Sequence, residues 1–298
     1  MPRHVIQGAT VLLSAGALMA LGLSPAVADT SQPEIQQTVH VVGTGSSVSL
    51  DHDATVSAGS IRFAVRTTNP SGPNGGGSSI AMFRPKEDKT VSRVLHDLAD
   101  EFGADPAAGT RELTADATFH GLADVVVGSP EVVTENLSPG TYYLADIGNQ
   151  PTGMPTLTKL TVKPAGRNIE QDSDLRSQTV VSATSADRFI APRNWPHEGT
   201  YTFRNTSDTL HFMVLQPVKN GTTDKQVQAY FEQPPSNNPP PFAKMGPSGG
   251  NDVVSPGQSL QVSYDLPEGT YVLLCFVADD QTGMPHAVMG MHKVVVLN

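Results

Sequence analysis

The chain of 298 residues carries one cysteine, Cys275, followed by Pro285-His286-Ala287-Val288-Met289-Gly290-Met291. One thiol, one imidazole and one thioether therefore issue from a single stretch near the C-terminus. A second imidazole, His211, stands earlier, within Leu210-His211-Phe212. Soft sulfur donors with imidazoles suit copper over metals that prefer hard oxygen. Two imidazoles, a thiolate and a long, weak thioether form a donor set for one-electron transfer. The thiolate is the binding form, so a metal there would lower the thiol pKa. The candidate ligands of one copper ion are His211, Cys275, His286 and Met291. Each also has an ordinary structural reading. Cys275 alternates with Leu273 and Val277 and could be a small buried hydrophobe; His211 could be a hydrogen-bonded strand residue.

These residues need a rigid frame, and the sequence supplies short strands. Val39 to Val42, Ile61 to Val65, Val125 to Val127 and Leu160 to Val162 are β-branched runs between Gly, Pro, Ser and Asn clusters. Later come Thr179 to Val181, Tyr201 to Phe203, Leu210 to Leu215, Leu260 to Val262, Tyr271 to Phe276 and Val294 to Val296. The pattern predicts a mainly β chain of the sandwich or barrel kind. One helix is expected in each half: Val91, Val94, Leu95, Leu98 and Phe102 share a face after an Asp88 cap, and Thr223-Asp224-Lys225-Gln226 has capping-box spacing.

The chain also repeats itself. Gly59-Ser60-Ile61-Arg62-Phe63 is answered by Gly199-Thr200-Tyr201-Thr202-Phe203, and Leu137-Ser138-Pro139-Gly140-Thr141-Tyr142 by Leu266-Pro267-Glu268-Gly269-Thr270-Tyr271. Thr152-Gly153-Met154-Pro155 returns as Thr282-Gly283-Met284-Pro285. Two tandem modules are expected, over 29–164 and 179–298, joined by a linker over 165–178. Matching the motifs places Ser79 at His211, Asp146 at Cys275, Thr156 at His286 and Thr161 at Met291. The turn residues persist in both copies while the four candidate ligands occur together in one. Met154 and Met284, present in both, read as structural.

On Asn205-Thr206-Ser207 with Leu210-His211-Phe212, Gly269-Thr270-Tyr271 leading to Cys275, and His286 to Met291 before Val294-Val295-Val296, the second half resembles the cupredoxins, the Greek-key β-sandwiches that hold type 1 copper. The resemblance implies two tandem cupredoxin-like sandwiches, the first without ligands. In the second, Cys275 would be the thiolate, His211 and His286 the imidazoles, and Met291 the axial thioether. It implies electron transfer or copper handling, with a redox protein or copper donor as partner and no catalytic residue. Ten residues separate Cys275 from His286, more than in the short cupredoxins and closer to the copper nitrite reductases.

Other features bound the reading. Arg3, the apolar run Val11 to Leu23 and Ala26-Val27-Ala28 predict a secretory signal over 1–28, hence an exported protein. Outside the cytoplasm a lone thiol is buried, metallated or paired between chains. A net charge of −10 disfavours nucleic acid and anionic membrane. No phosphate loop or His-Glu-x-x-His is present. A metal-free surface interaction protein is the alternative. A copper oxidase or nitrite-reductase-like enzyme has less support, because the nine histidines do not assemble a second centre.

Overall fold

Strict alternation of apolar and polar residues builds the sheets: along Gly59–Thr67, Ile61, Phe63 and Val65 point inward while Arg62 and Arg66 point out. The computed structural model describes residues 37–298 apart from 52–53, 71–75, 149–153, 166–176, 178 and 235–237. The expected signal and most of the expected linker lie outside the described residues.

The first half contributes β1 (Gln37–Gly43), β2 (Val48–Leu50), β3 (Thr55–Ser57), β4 (Gly59–Thr67), β5 (Gly77–Pro85), α1 (Val91–Glu101), α2 (Pro106–Asp116), β6 (Ala117–Val126), β7 (Glu131–Leu137), β8 (Gly140–Asp146) and β9 (Thr158–Lys163). The second contributes β10 (Thr179–Thr184), β11 (Arg188–Ile190), β12 (Asn194–Trp195), β13 (Glu198–Asn205), β14 (His211–Val218), α3 (Asp224–Phe231), β15 (Gly249–Val254), β16 (Ser259–Asp265), β17 (Gly269–Leu274) and β18 (His292–Leu297). They form two mixed sheets, in the orders β11-β10-β13-β16-β7-β4-β1-β2 and β12-β18-β17-β14-β15-β6-β5-β8-β9-β3. Both sheets continue across the halves, through β16 beside β7 and through the Val254–His120 pair of β15 and β6. The space between them holds a core containing Ile61, Phe63, Leu144, Tyr201, Phe203 and Leu260. Trp195 packs edge-on against Tyr201 and Tyr264. The expected mainly β sandwich is therefore what forms.

The helices differ from expectation in two respects. Thr90, not Asp88, caps α1, accepting from the Arg93 N–H, while Asp88 takes a left-handed turn conformation before it. The first half also holds a second helix, α2, capped by Asp105 with Pro106 in its first turn. Its weak amphipathicity hid it. Gly109 lets it lie against α1, since a Cβ there would fall 2.1 Å from the Glu101 nitrogen. The capping box of α3 forms as expected between Thr223 and Gln226.

The matched Gly-Thr-Tyr segments share one geometry. The Tyr142 hydroxyl donates to the Ser138 carbonyl and the Tyr271 hydroxyl to the Pro267 carbonyl, each at 2.9 Å. Both are tyrosine corners that fix the chain at a strand start, so these residues have a structural reason to persist.

Close backbone approach at β14 and β15 matters most for the site. A Cβ at Gly250 would lie 2.1 Å from the Met213 carbonyl oxygen, and its φ is +155°. Backbone cannot yield as a side chain does. Gly250→Ala should therefore lower stability by about 2–4 kcal/mol from overpacking and backbone strain; urea unfolding checks this, and an unchanged midpoint would contradict the packing described.

Candidate metal centre

His211 opens β14 directly after a turn that Asn205 fastens, its side-chain amide donating to the carbonyls of Thr209 and Val254 at 2.7 Å each. The β14–β15 register shifts between His211 and Met213, an irregularity that re-aims the strand end. Cys275 stands one residue past β17, which ends at Leu274 rather than continuing to Phe276 as expected.

The long Cys-to-His stretch is folded back on itself. Ala278 bridges Pro285, the His286 N–H donates to the Val277 carbonyl, and the Ala287 N–H donates to the Cys275 carbonyl. The excess length is an excursion from Asp279 to Met284, tied by Asp279 to Met284 and Gly283 backbone bonds. The Asp279 carboxylate accepts from the Gln281 and Thr282 N–H groups and the Thr282 hydroxyl. His286 is thus returned beside Cys275 by paired backbone. The Met291 N–H then bonds the His286 carbonyl at 2.8 Å, after Gly290 turns the chain at φ 104°.

Three of the four sequence-predicted residues converge. The Nδ1 atoms of His211 and His286 each lie 3.7 Å from the Cys275 sulfur, and the rings sit 4.8 Å apart between centroids. Donor atoms of all three fall within 4.8 Å of one another. Met291 is fully buried in the same core cluster as Cys275. His292, in contrast, is held by Asp224 and Gln228 of α3, so it braces the helix. Met284 is largely exposed.

Burial sets the protonation states. The His211 pKa is pushed down to about 3 by desolvation and then by the neighbouring His286. Desolvation also lowers His286, against Asp187 and Asp279, which favour its charged form. The Cys275 thiol is pushed up to about 12 by burial, against backbone N–H groups of Phe212 and Val277 aimed at the sulfur. The metal-free cluster is therefore two neutral imidazoles and a protonated thiol: lone pairs ready for a cation, and one proton to displace.

Asp187 was not foreseen. It lies in the turn between β10 and β11, in the left-handed region at φ 50°, with its carboxylate 3.9 Å from His211 Nε2 and 3.8 Å from His286 Nε2. Desolvation raises its pKa, opposed by His286. Only the run Thr184-Ser185-Ala186-Asp187 after a strand hinted at such a turn.

Strand register corrects the matching of the two halves. Pro217 faces Tyr271, and Phe83 faces Tyr143, which sets Arg84 against Tyr142. Counting back from there, His211 corresponds to buried Ser78 rather than to Ser79. Tyr271 faces Val295 and Tyr142 faces Leu160, so Met291 corresponds to Thr156 rather than to Thr161. The His286 counterpart, taken as Thr156 from the motif, falls by this count outside the described residues. A one-residue slip reverses the face of a strand, and motif matching alone does not detect it.

No protein-family model matches the chain, and no curated protein does. Among solved structures it is similar to a dithionite-reduced auracyanin of Roseiflexus castenholzii, at 23% identity over 40% of this chain and 94% of that one, TM-score 0.25. It is similar also to auracyanin A of Chloroflexus aurantiacus, described as a "blue" copper protein, at 15% identity over 40% and 96%, TM-score 0.23. A copper-containing nitrite reductase of Thermus scotoductus matches at 10% identity over 88% of this chain and 61% of that one, TM-score 0.21. The class that fold and site define by themselves is a mainly β, two-sheet protein with a buried His-Cys-His cluster.

The buried imidazoles have a measurable signature. With a folded pKa near 3 and an unfolded value of about 6.5, His211 binds fewer protons when folded. Its contribution is intact above pH 6.5 and is lost as pH falls. Relative to His211→Gln, the metal-free wild type should lose about 1.4 kcal/mol per pH unit between about pH 6 and pH 4. Denaturant unfolding across that range measures it; parallel curves would show that the ring protonates in place.

Proposed function

We propose that this chain is an exported cupredoxin-like electron carrier in which the Cys275 thiolate and the Nδ1 atoms of His211 and His286 would hold one copper ion, with the buried Met291 thioether as a weaker fourth donor. The observation that carries the reading is the convergence of both Nδ1 atoms on one buried sulfur, 3.7 Å away in each case. Bound copper would supply a single electron by alternating between Cu(I) and Cu(II). The residues do the rest. The Phe212 and Val277 N–H groups favour the thiolate, and the Ala287–Cys275 bond holds the ligand loop against the end of β17.

Burial favours electron transfer over substrate chemistry. The side chains of His211, Cys275 and His286 are all 0% exposed, so a substrate has no route to them, whereas an electron needs none. The partner would accordingly be a redox protein or copper donor. We read the two halves, over 29–164 and 179–298, as two copies of one module, supported by the twin tyrosine corners. Export rests on the leader-like residues 1–28; no helix among the described residues is long and apolar enough to cross a membrane.

Adding Cu(II) to the metal-free protein should give one equivalent bound and an intense visible sulfur-to-copper band, absent in Cys275→Ser. A colourless protein, or one that retains only zinc, would refute the reading. Because the thiol is protonated when metal-free, binding should release about one proton per copper and tighten about tenfold per pH unit between about pH 6 and 8; calorimetry in buffers of different ionisation enthalpy reads the proton count. Copper free at 100 times its Kd should add about 2.7 kcal/mol to unfolding, and none in Cys275→Ser.

A further inference from the structure

We infer that Asp187 is a positioning residue for both imidazoles: its carboxylate takes the Nε2 side of His211 and of His286 together, fixes both Nδ1 atoms toward Cys275, and holds the reduction potential of a metal there down. This rests on the copper reading for its second half only.

Four observations carry it. The Nε2 atoms of His211 and His286 are buried and make no hydrogen bond. A buried polar atom left so is costly, and its nearest charge decides which state it adopts. The Asp187 carboxylate meets both at ion-pair distance, 3.9 and 3.8 Å. Asp187 does not reach them by chance of a loose loop. Its N–H bonds the Thr184 carbonyl at 2.9 Å, and the Arg188 guanidinium donates back to the carbonyls of Ala186 and Asp187. That guanidinium also lies where a Cβ on Gly290 would meet it at 3.0 Å, which clamps the turn over the ligand loop. The fourth observation is the corresponding turn of the first half, between β1 and β2. There Gly45 donates its N–H to the Asp146 carboxylate at 2.6 Å, and Asp146 stands where Cys275 does. The turn reaches the end of the sandwich in both halves; only the second carries an acid to two imidazoles.

The chemistry follows from charge. A carboxylate facing a ring nitrogen repels its lone pair and attracts an N–H. Both rings are thereby set as Nε2–H tautomers with Nδ1 lone pairs toward the sulfur, which is the form a metal requires. Negative charge behind both ligands also stabilises the higher metal oxidation state relative to the lower. Removing it should raise the potential.

Asp187→Asn keeps the shape and the tolerance for the left-handed region but not the charge; Asp187→Gly keeps the turn but removes the group. The first experiment uses metal-free protein and ring nitrogen-15 NMR. Both His211 and His286 should be Nε2–H in the wild type, and at least one should become a tautomer mixture in Asp187→Gly. An Nδ1–H ring in the wild type, or unchanged rings in the glycine variant, would overturn the proposal. The second uses copper-loaded protein and voltammetry. Asp187→Asn should shift the ratio of Cu(I) to Cu(II) affinity at least tenfold, a rise of about 59 mV for one electron, whereas Asp208→Asn, an exposed acid nearby, should not. Equal shifts in both variants, or none in either, would overturn it. So would a second copper equivalent lost on Asp187 substitution, which would make the carboxylate a ligand with Asp279. A protein that binds no copper would sink the electron-carrier reading yet leave the tautomer experiment deciding the role of Asp187.

Discussion

Two backbone hydrogen bonds, from His286 to Val277 and from Ala287 to Cys275, determine where everything else at the site can be. A thiol and an imidazole with ten residues between them on a free loop would meet rarely, since closing a loop costs conformational entropy. Here the chain pairs with itself for two bonds, makes its excursion under the control of Asp279, and returns. His286 is then delivered by the loop's own backbone hydrogen bonding rather than by side-chain attraction. A cluster built on backbone pairing is rigid before any metal arrives, which is what the proposed one-electron centre would need to keep reorganisation small.

Desolvation is the second determinant, and it acts in both directions. It keeps His211 and His286 neutral, so their lone pairs are available. It also holds the Cys275 proton on, with a thiol pKa of about 12, so a metal must compete with that proton. The Phe212 and Val277 N–H groups partly offset the burial by favouring the thiolate. Asp187, 3.9 and 3.8 Å from the two Nε2 atoms, would supply the negative charge that a doubly positive ion with one thiolate leaves uncompensated. A neutral apolar pocket would hold the same donors but bind a cation less well.

The first half shows what the sandwich end does without donors. Ser78 bonds Thr67 at 2.7 Å and the Asp146 carboxylate takes the Gly45 N–H. Ser78 and Asp146 there make short polar contacts within the protein. Strand register sets this correspondence between the halves. Motif matching chose Ser79, whose hydroxyl in fact bonds Asp252 at 2.6 Å on the other side of the strand. The motif residues sit at turns, and a turn match tolerates the one-residue slip that a strand does not. Helix α2 carries no periodic signal for a related reason: Ala107 and Gly109 pack by being small, which leaves no apolar stripe in the sequence.

The sequence by itself determined the β class, through alternating branched residues between turn formers, and it singled out the candidate donors, because a lone cysteine followed by a histidine and a methionine narrows the chemistry sharply. It determined the tyrosine corners too, as each depends on contacts four residues apart. Tertiary structure alone decided which faces the donors share, how ten intervening residues are folded away, and that Asp187 closes the site from a strand turn 24 residues before His211. Spacing encodes local geometry, whereas the approach of an acid to two rings depends on how a distant hairpin packs, and no pattern along the chain records that.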